Sequence, residues 1–141
     1  MDRFSTREGH SMNSVAYVER AAAWARLLED KEAERSGADL AVARPTVARR
    51  TGVPEGTLRN LRKNRLKAIG VHWFDRLKAG VIRELEAELM RLEHDLAVLR
   101  ATGADPRHPE TEAVVADIAR ARAALGLAPE ALPPERETSG G

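Results

Sequence analysis

The chain has 141 residues, a formal net charge of +1 and no cysteine. Without cysteine it has no disulfide framework, thiolate nucleophile or cysteine-based zinc site. No apolar run approaches the roughly 18 residues needed to span a bilayer, and the N-terminus lacks the apolar core of a signal peptide. We therefore expect a cytoplasmic protein that does not enter a membrane.

The near-neutral total hides three unequal blocks of charge. Residues 1–43 carry −2, residues 44–78 carry +8 and residues 79–141 carry −5. The basic charge is most concentrated in residues 44–67, here called the basic strip, where eight Arg or Lys side chains accompany a single acid, Glu55. Blocks of this kind indicate separate tasks for separate segments, and a compact positive surface suits phosphates.

The first 12 residues show no periodicity, which predicts a flexible tail. Residues 13–37 predict an N-terminal helix from residue 15 to about residue 35, capped by Asn13 or Ser14 and ended by Ser36 and Gly37. Its apolar positions recur at helical spacing. They are Val18, Ala21, Ala22, Trp24, Ala25, Leu27 and Leu28.

Residues 38–70 predict two short helices around a glycine turn. Asp39 can cap a short segment, and Pro45 suits the first turn of a helix over residues 45–50. Gly52 then provides the turn, because glycine adopts a positive φ at little cost. Pro54 opens a second helix to about residue 64, and residues 66–70 form a connector.

Residues 71–126 predict a long helix and an antiparallel partner, because a Pro- and Gly-containing break at 103–109 separates two amphipathic patterns. Glycine at 126 closes the last helix, and residues 127–141 have the composition of a disordered tail. The long helix carries a leucine-rich seam with 3,4 spacing, which either packs within the chain or forms a homodimer, and we favour the homodimer. The seam is Ile82, Leu85, Leu89, Leu92, Leu96 and Leu99.

Residues 44–67 resemble the helix-turn-helix superfamily of bacterial and phage transcriptional regulators. Ala48 matches the small residue of the first helix and Gly52 matches the turn, whereas Thr51 departs from the apolar residue common there. The flanking apolar positions match at Val47, Val53, Leu58 and Leu61. The resemblance implies a helix-turn-helix core that binds double-stranded DNA. Together with the helical patterns on either side, it leads us to expect an all-α fold: a helix-turn-helix core with an N-terminal helix and a C-terminal antiparallel helical hairpin.

In that family the start of the second helix enters the major groove. On this pattern we expect base edges to be read by Glu55, Thr57, Arg59 and Asn60. Phosphates, which position a protein without reading sequence, are expected to meet the remaining polar and basic side chains of the strip. These are Arg44, Thr46, Arg49, Arg50, Arg62, Lys63, Arg65 and Lys67.

Other chemistry finds little support. The four histidines, at 10, 72, 94 and 108, lack metal-ligand spacing, and no nucleophile motif or nucleotide-binding loop occurs. We expect no enzyme, metal or cofactor, and the sequence identifies no effector. His72, Trp73 and Phe74 can stack on a base or pack the long helix, and we favour packing. Two alternatives remain: a coiled-coil adaptor whose basic strip binds an acidic partner, and an architectural or plasmid-maintenance DNA-binding protein.

Overall fold

A computed structural model describes the backbone of residues 11–12 and 15–130 and the side chains of residues 15–126. Its described part is all-α, as the sequence predicts. The helices are α1 (Val15–Ser36), α2 (Leu40–Thr51), α3 (Glu55–Arg62), α4 (Val71–Ala101) and α5 (Pro109–Glu130). The predicted caps Asn13 and Ser14 lie outside the described residues, as do residues 1–10 and 131–141 of the predicted tails.

Two two-residue strands accompany the helices. Ser11–Met12 (β1) pairs antiparallel with Ile69–Gly70 (β2), with Met12 opposite Ile69. Ile69 is buried, so the segment predicted as a connector also contributes to the core.

The start of α2 differs from the sequence prediction. Asp39 accepts a hydrogen bond from the Val42 amide (3.2 Å) as N-cap, and α2 continues through Pro45 instead of beginning there. Proline already has a helical φ, but it loses one backbone hydrogen bond and its ring crowds the carbonyl four residues earlier, so the cap and tertiary contacts must outweigh this cost.

The end of α5 also differs. The helix continues past Gly126 to Glu130, and Gly126 is not among the glycines with a positive φ. Glycine costs a helix interior only about 1 kcal/mol relative to alanine, so it ends a helix only when the chain actually turns there.

The core of the N-terminal part is built on α1. Ala21, Ala25 and Leu28 are buried along its predicted stripe. Phe74 of α4 is 1% exposed and packs against Tyr17 and Trp24, with ring centroids 5.3 and 5.0 Å apart. The aromatic cluster at the start of α4 therefore serves packing through Phe74.

Gly80 allows α4 to approach α1 and α2 closely. A Cβ atom at this position would lie 3.1 Å from Thr51 Cγ2 and 3.2 Å from Leu28 Cδ1. A glycine inside a helix is thus explained here by a tertiary contact that a larger residue would obstruct.

The chain divides into two compact units within α4, between Val81 and Ile82. We call the described residues up to Val81 the first unit and Ile82–Glu130 the second unit. The sequence predicts that the C-terminal helical region begins at residue 71. In the structure, however, Phe74, Leu77 and Val81 are buried in the first unit. None of the described helices combines the length and apolarity needed to cross a bilayer.

Candidate nucleic-acid interface

The turn between α2 and α3 is built around Gly52. Its φ is 81°, and its amide donates to the Ala48 carbonyl at 2.8 Å, closing α2. Thr51, the departure from the family pattern, is buried, but its hydroxyl donates to the Val47 carbonyl (2.8 Å) and accepts from the Val53 amide (3.1 Å). The Thr51 hydroxyl therefore has hydrogen-bond partners although it is buried where similar sequences carry an apolar side chain.

The α3 helix has one face in the core and another in solvent. Leu58 and Leu61 are both 0% exposed, whereas Glu55 and Arg59 are exposed and Asn60 is half-buried. The helix has eight residues, and is therefore about 12 Å long. Thr57 is also half-buried, so the four predicted base-reading residues all keep some contact with solvent.

Glu29 of α1 joins α2 to α3. Its side chain is fully buried, and one oxygen accepts from Arg44 Nε at 2.7 Å while the other accepts from Arg62 Nη1 at 2.8 Å. Arg62 also donates to Asp30 at 3.0 Å. Burial lowers the pKa of Arg62, but its hydrogen bonds to Glu29 and Asp30 outweigh that effect, so the pKa is above its ordinary value.

A second carboxylate of α1 contacts the end of α2. Glu32 is buried, and its Oε1 accepts from Arg50 Nη1 at 2.8 Å and from Arg35 Nη2 at 2.9 Å. Arg50 itself remains 57% exposed. We call the set of Glu29, Arg44 and Arg62 the carboxylate clamp, because the buried Glu29 of α1 holds both flanking helices.

Arg26 of α1 holds the end of α3. Its Nη2 donates to the Arg62 carbonyl (3.1 Å) and to Asn64 Oδ1 (3.2 Å). Asn64 has a φ of 58°, a left-handed conformation that asparagine tolerates better than most residues. The chain therefore leaves α3 in a fixed direction toward the basic residues 65 and 67.

The predicted phosphate-binding residues fall into two groups. Arg44 and Arg62 are in the clamp, with side chains 15% and 24% exposed, and Arg50 is paired but exposed. Among the described residues, no ion pair involves the other four cations. These are Arg49, Lys63, Arg65 and Lys67, all exposed. Thr46 is half-buried and accepts a hydrogen bond from Arg49 at 3.3 Å.

Sequence reasoning missed the clamp and the ion pairs of Glu32, although a signal was present. Glu29 and Glu32 lie four and seven residues after Ala25, on the apolar face of α1. Carboxylates on a buried face need partners, and the only large supply of cations is the basic strip. The sequence also predicts that Arg62 meets phosphates, whereas the structure turns its side chain toward Glu29 of α1.

The predicted seam lies mostly in the second unit at intermediate burial. Leu85 is 9% exposed, and the other five seam residues are half-buried. The α4 and α5 helices run antiparallel there, since Glu93 pairs with Arg122 at 2.8 Å and the neighbouring Leu96 and Ile118 share one groove. The predicted hairpin is therefore present.

His72 and Trp73 stack at the start of α4, with ring centroids 3.9 Å apart, and Arg76 lies over Trp73 at 5.8 Å. Arg76 also approaches Gly52 in the α2–α3 turn. This arrangement favours the packing interpretation. Within the described part of the chain, no group of three His, Asp or Glu side chains is arranged to hold a metal ion.

Comparison with known proteins adds no relative. Neither a protein-family model, nor a curated protein, nor a solved structure matches this chain.

Proposed function

We propose that this protein binds double-stranded DNA in a sequence-specific manner and regulates transcription as a homodimer, as a repressor that occupies its site. The resemblance of residues 44–67 to helix-turn-helix regulators suggested the role. Its location in the cytoplasm remains an expectation from the sequence.

The observation that carries the proposal is the division of the basic side chains. The clamp holds α2 through Arg44 and α3 through Arg62, and Leu58 and Leu61 anchor the inner face of α3. Arg59 and Asn60 are left on its outer side. Arginine and asparagine form bidentate pairs with guanine and adenine, respectively, in the major groove, whose width of about 12 Å admits a helix.

The unpaired cations supply the sequence-independent part of binding. Arg49, Lys63, Arg65 and Lys67 extend from the end of α2 to the segment after α3. Four phosphate contacts per chain would give a slope of log K against log salt of roughly −3.6. We leave Arg44 and Arg62 out of the interface, because binding a phosphate would cost them their buried partner Glu29.

The first experiment selects bound duplexes from a random pool and measures affinity by fluorescence anisotropy over a salt series. We expect one enriched sequence and a steep fall of affinity with salt. The absence of duplex binding at low salt would contradict the proposal and favour the adaptor alternative. Binding without sequence enrichment would favour an architectural role.

Two substitutions separate base reading from phosphate contact. Arg59→Ala should cost about 1–3 kcal/mol at the selected site and relax one base position. Lys63→Ala should weaken all duplexes equally and reduce the salt slope by about 1. Arg91→Ala, in the second unit, is the control and should change neither quantity. An equal loss on all sequences for Arg59→Ala would assign Arg59 to phosphate instead.

A further inference from the structure

The second unit contains only two helices, and this leaves apolar surface uncovered. Of its described residues, Leu85, Thr111, Ile118 and Ala121 are buried. Leu92, Leu96 and Leu99 stay half-buried. Two helices cover only one side of each other, so a stable helical bundle normally needs further helices across the same core.

The uncovered surface is a groove of about 400 Å³ between α4 and α5. Its apolar lining consists of Leu96, Ala97, Val115, Ile118 and Ala119. Val115 is 45% exposed at this groove, and Met90, 71% exposed, lies two helical turns before Ala97 on the same face of α4. We call this surface the hairpin groove.

Charged side chains at the two ends of the hairpin groove have opposite signs along α4. Glu93 lies at one end, where it pairs with Arg122 of α5 at 2.8 Å, and Arg100 lies at the other end, with Leu96 and Ala97 midway between them on α4. The seven-residue separation corresponds to about 10.5 Å along the helix. Turned end for end, a second α4 would bring its Arg100 opposite Glu93, which accepts from Arg122 of its own chain through Oε2 and has its other carboxylate oxygen left to accept from Arg100.

We propose that the hairpin groove is the homodimer interface, occupied by the same groove of a second copy in an antiparallel, twofold-symmetric four-helix bundle. In a twofold interface the same patch serves both partners, so each Glu93 would face one Arg100 of the other copy. A parallel pairing in register would place Glu93 against Glu93 and Arg100 against Arg100. The inference specifies the pairing surface of the homodimer named above and does not depend on DNA binding.

The first test is the molar mass of the full-length chain by size-exclusion chromatography with light scattering. A dimer has twice the 15.5 kDa of one chain. Ala119→Glu places a charge in the middle of the hairpin groove and should convert the dimer into a monomer of unchanged helical content by circular dichroism. Ala113→Glu, the same change at an exposed position on α5 outside the groove, should leave the dimer intact.

The second test uses the absence of natural cysteine. Ala97→Cys gives one thiol per chain near the proposed twofold axis, and mild oxidation should produce a covalent dimer in high yield. Ala87→Cys, exposed on the same helix and outside the groove, should cross-link poorly. A dimer that survives Ala119→Glu and does not cross-link through Ala97→Cys would show that the chain dimerises through a surface other than the hairpin groove.

A wild-type chain that stays monomeric at high micromolar concentration would overturn the pairing altogether. The hairpin groove would then belong to residues 131–141 of the same chain or to a different protein. DNA binding is measured separately on the same samples, so its failure and the failure of the dimer are distinguishable.

Discussion

The two units bury their apolar side chains to different degrees, although α4 contributes to both. Fifteen of the buried hydrophobic residues among those described belong to the first unit and three to the second. The first unit also encloses two carboxylates and supplies them with arginines. A closed core can fix the direction of an exposed helix, whereas a half-closed core is suited to receiving a partner.

We expect the largest difference in the free energy of unfolding when leucine is replaced by alanine at two sites of α4. Leu77→Ala, at a residue that is 0% exposed in the first unit, should cost about 4 kcal/mol. Leu89→Ala, at a half-buried residue of the second unit, should cost about 1 kcal/mol. Both changes replace leucine by alanine in one helix, so the change in helix propensity is nearly the same for both and does not contribute to the difference. Urea denaturation followed by circular dichroism checks both values.

Tryptophan fluorescence sharpens this measurement. Both tryptophans of the chain, Trp24 and Trp73, lie in the first unit. Fluorescence therefore reports only that unit, whereas circular dichroism reports all helices. An equal destabilisation by Leu77→Ala and Leu89→Ala would contradict the difference in packing between the units.

The next effect concerns the carboxylate clamp. Glu29→Ala leaves two arginines without their buried partner and should destabilise the first unit by about 3 kcal/mol. This is the lower end of the range for a broken buried pair, because Arg44 and Arg62 keep some contact with water. Glu34→Ala, exposed on the same helix, is the control and should change stability by less than about 0.5 kcal/mol.

Loss of the carboxylate clamp should also change DNA binding. Because Arg62 fixes α3, Glu29→Ala should weaken binding to the selected DNA more than binding to random duplex. Stability curves that coincide for Glu29→Ala and Glu34→Ala would show that the ion pairs contribute no net stability.

We expect the smallest changes in stability when the two glycines on either side of Pro54 are replaced by alanine. Gly52→Ala should cost about 1 kcal/mol, since alanine is strained at a φ of 81°. The new Cβ would also displace the end of the Arg76 side chain. Gly56→Ala, inside α3 with nothing within 4 Å of the added atom, should stabilise by about 0.5–1 kcal/mol. Thermal unfolding distinguishes the signs, and a gain at both positions would contradict the turn geometry.

Much of the helical framework was predictable because its causes are local. The alanine-rich stripe of α1, the buried Leu58 and Leu61, and the positive φ of Gly52 follow from spacing and residue type. The break after Ala101 also follows from local chemistry, since Gly103 adopts a φ of 79°.

Local rules failed where a tertiary contact or a helix context outweighed them. Pro45 was read as a helix start, but the Asp39 cap places it in the second turn of α2. Gly126 was read as a stop, but α5 continues. In both cases the residue is compatible with a helix, and the sequence alone does not show whether the helix continues through it or ends there.

The candidate interface shows the same limit. The sequence determined that residues 44–67 are strongly basic and contain two short helices, because charge and periodicity are properties of the chain itself. Only the tertiary structure decided which cations stay exposed. Glu29 meets Arg44 and Arg62 across 15 and 33 residues of chain, and ion pairing depends on distance in space. The fold thus divides the basic strip into arginines that hold α2 and α3 against α1 and side chains left exposed to solvent.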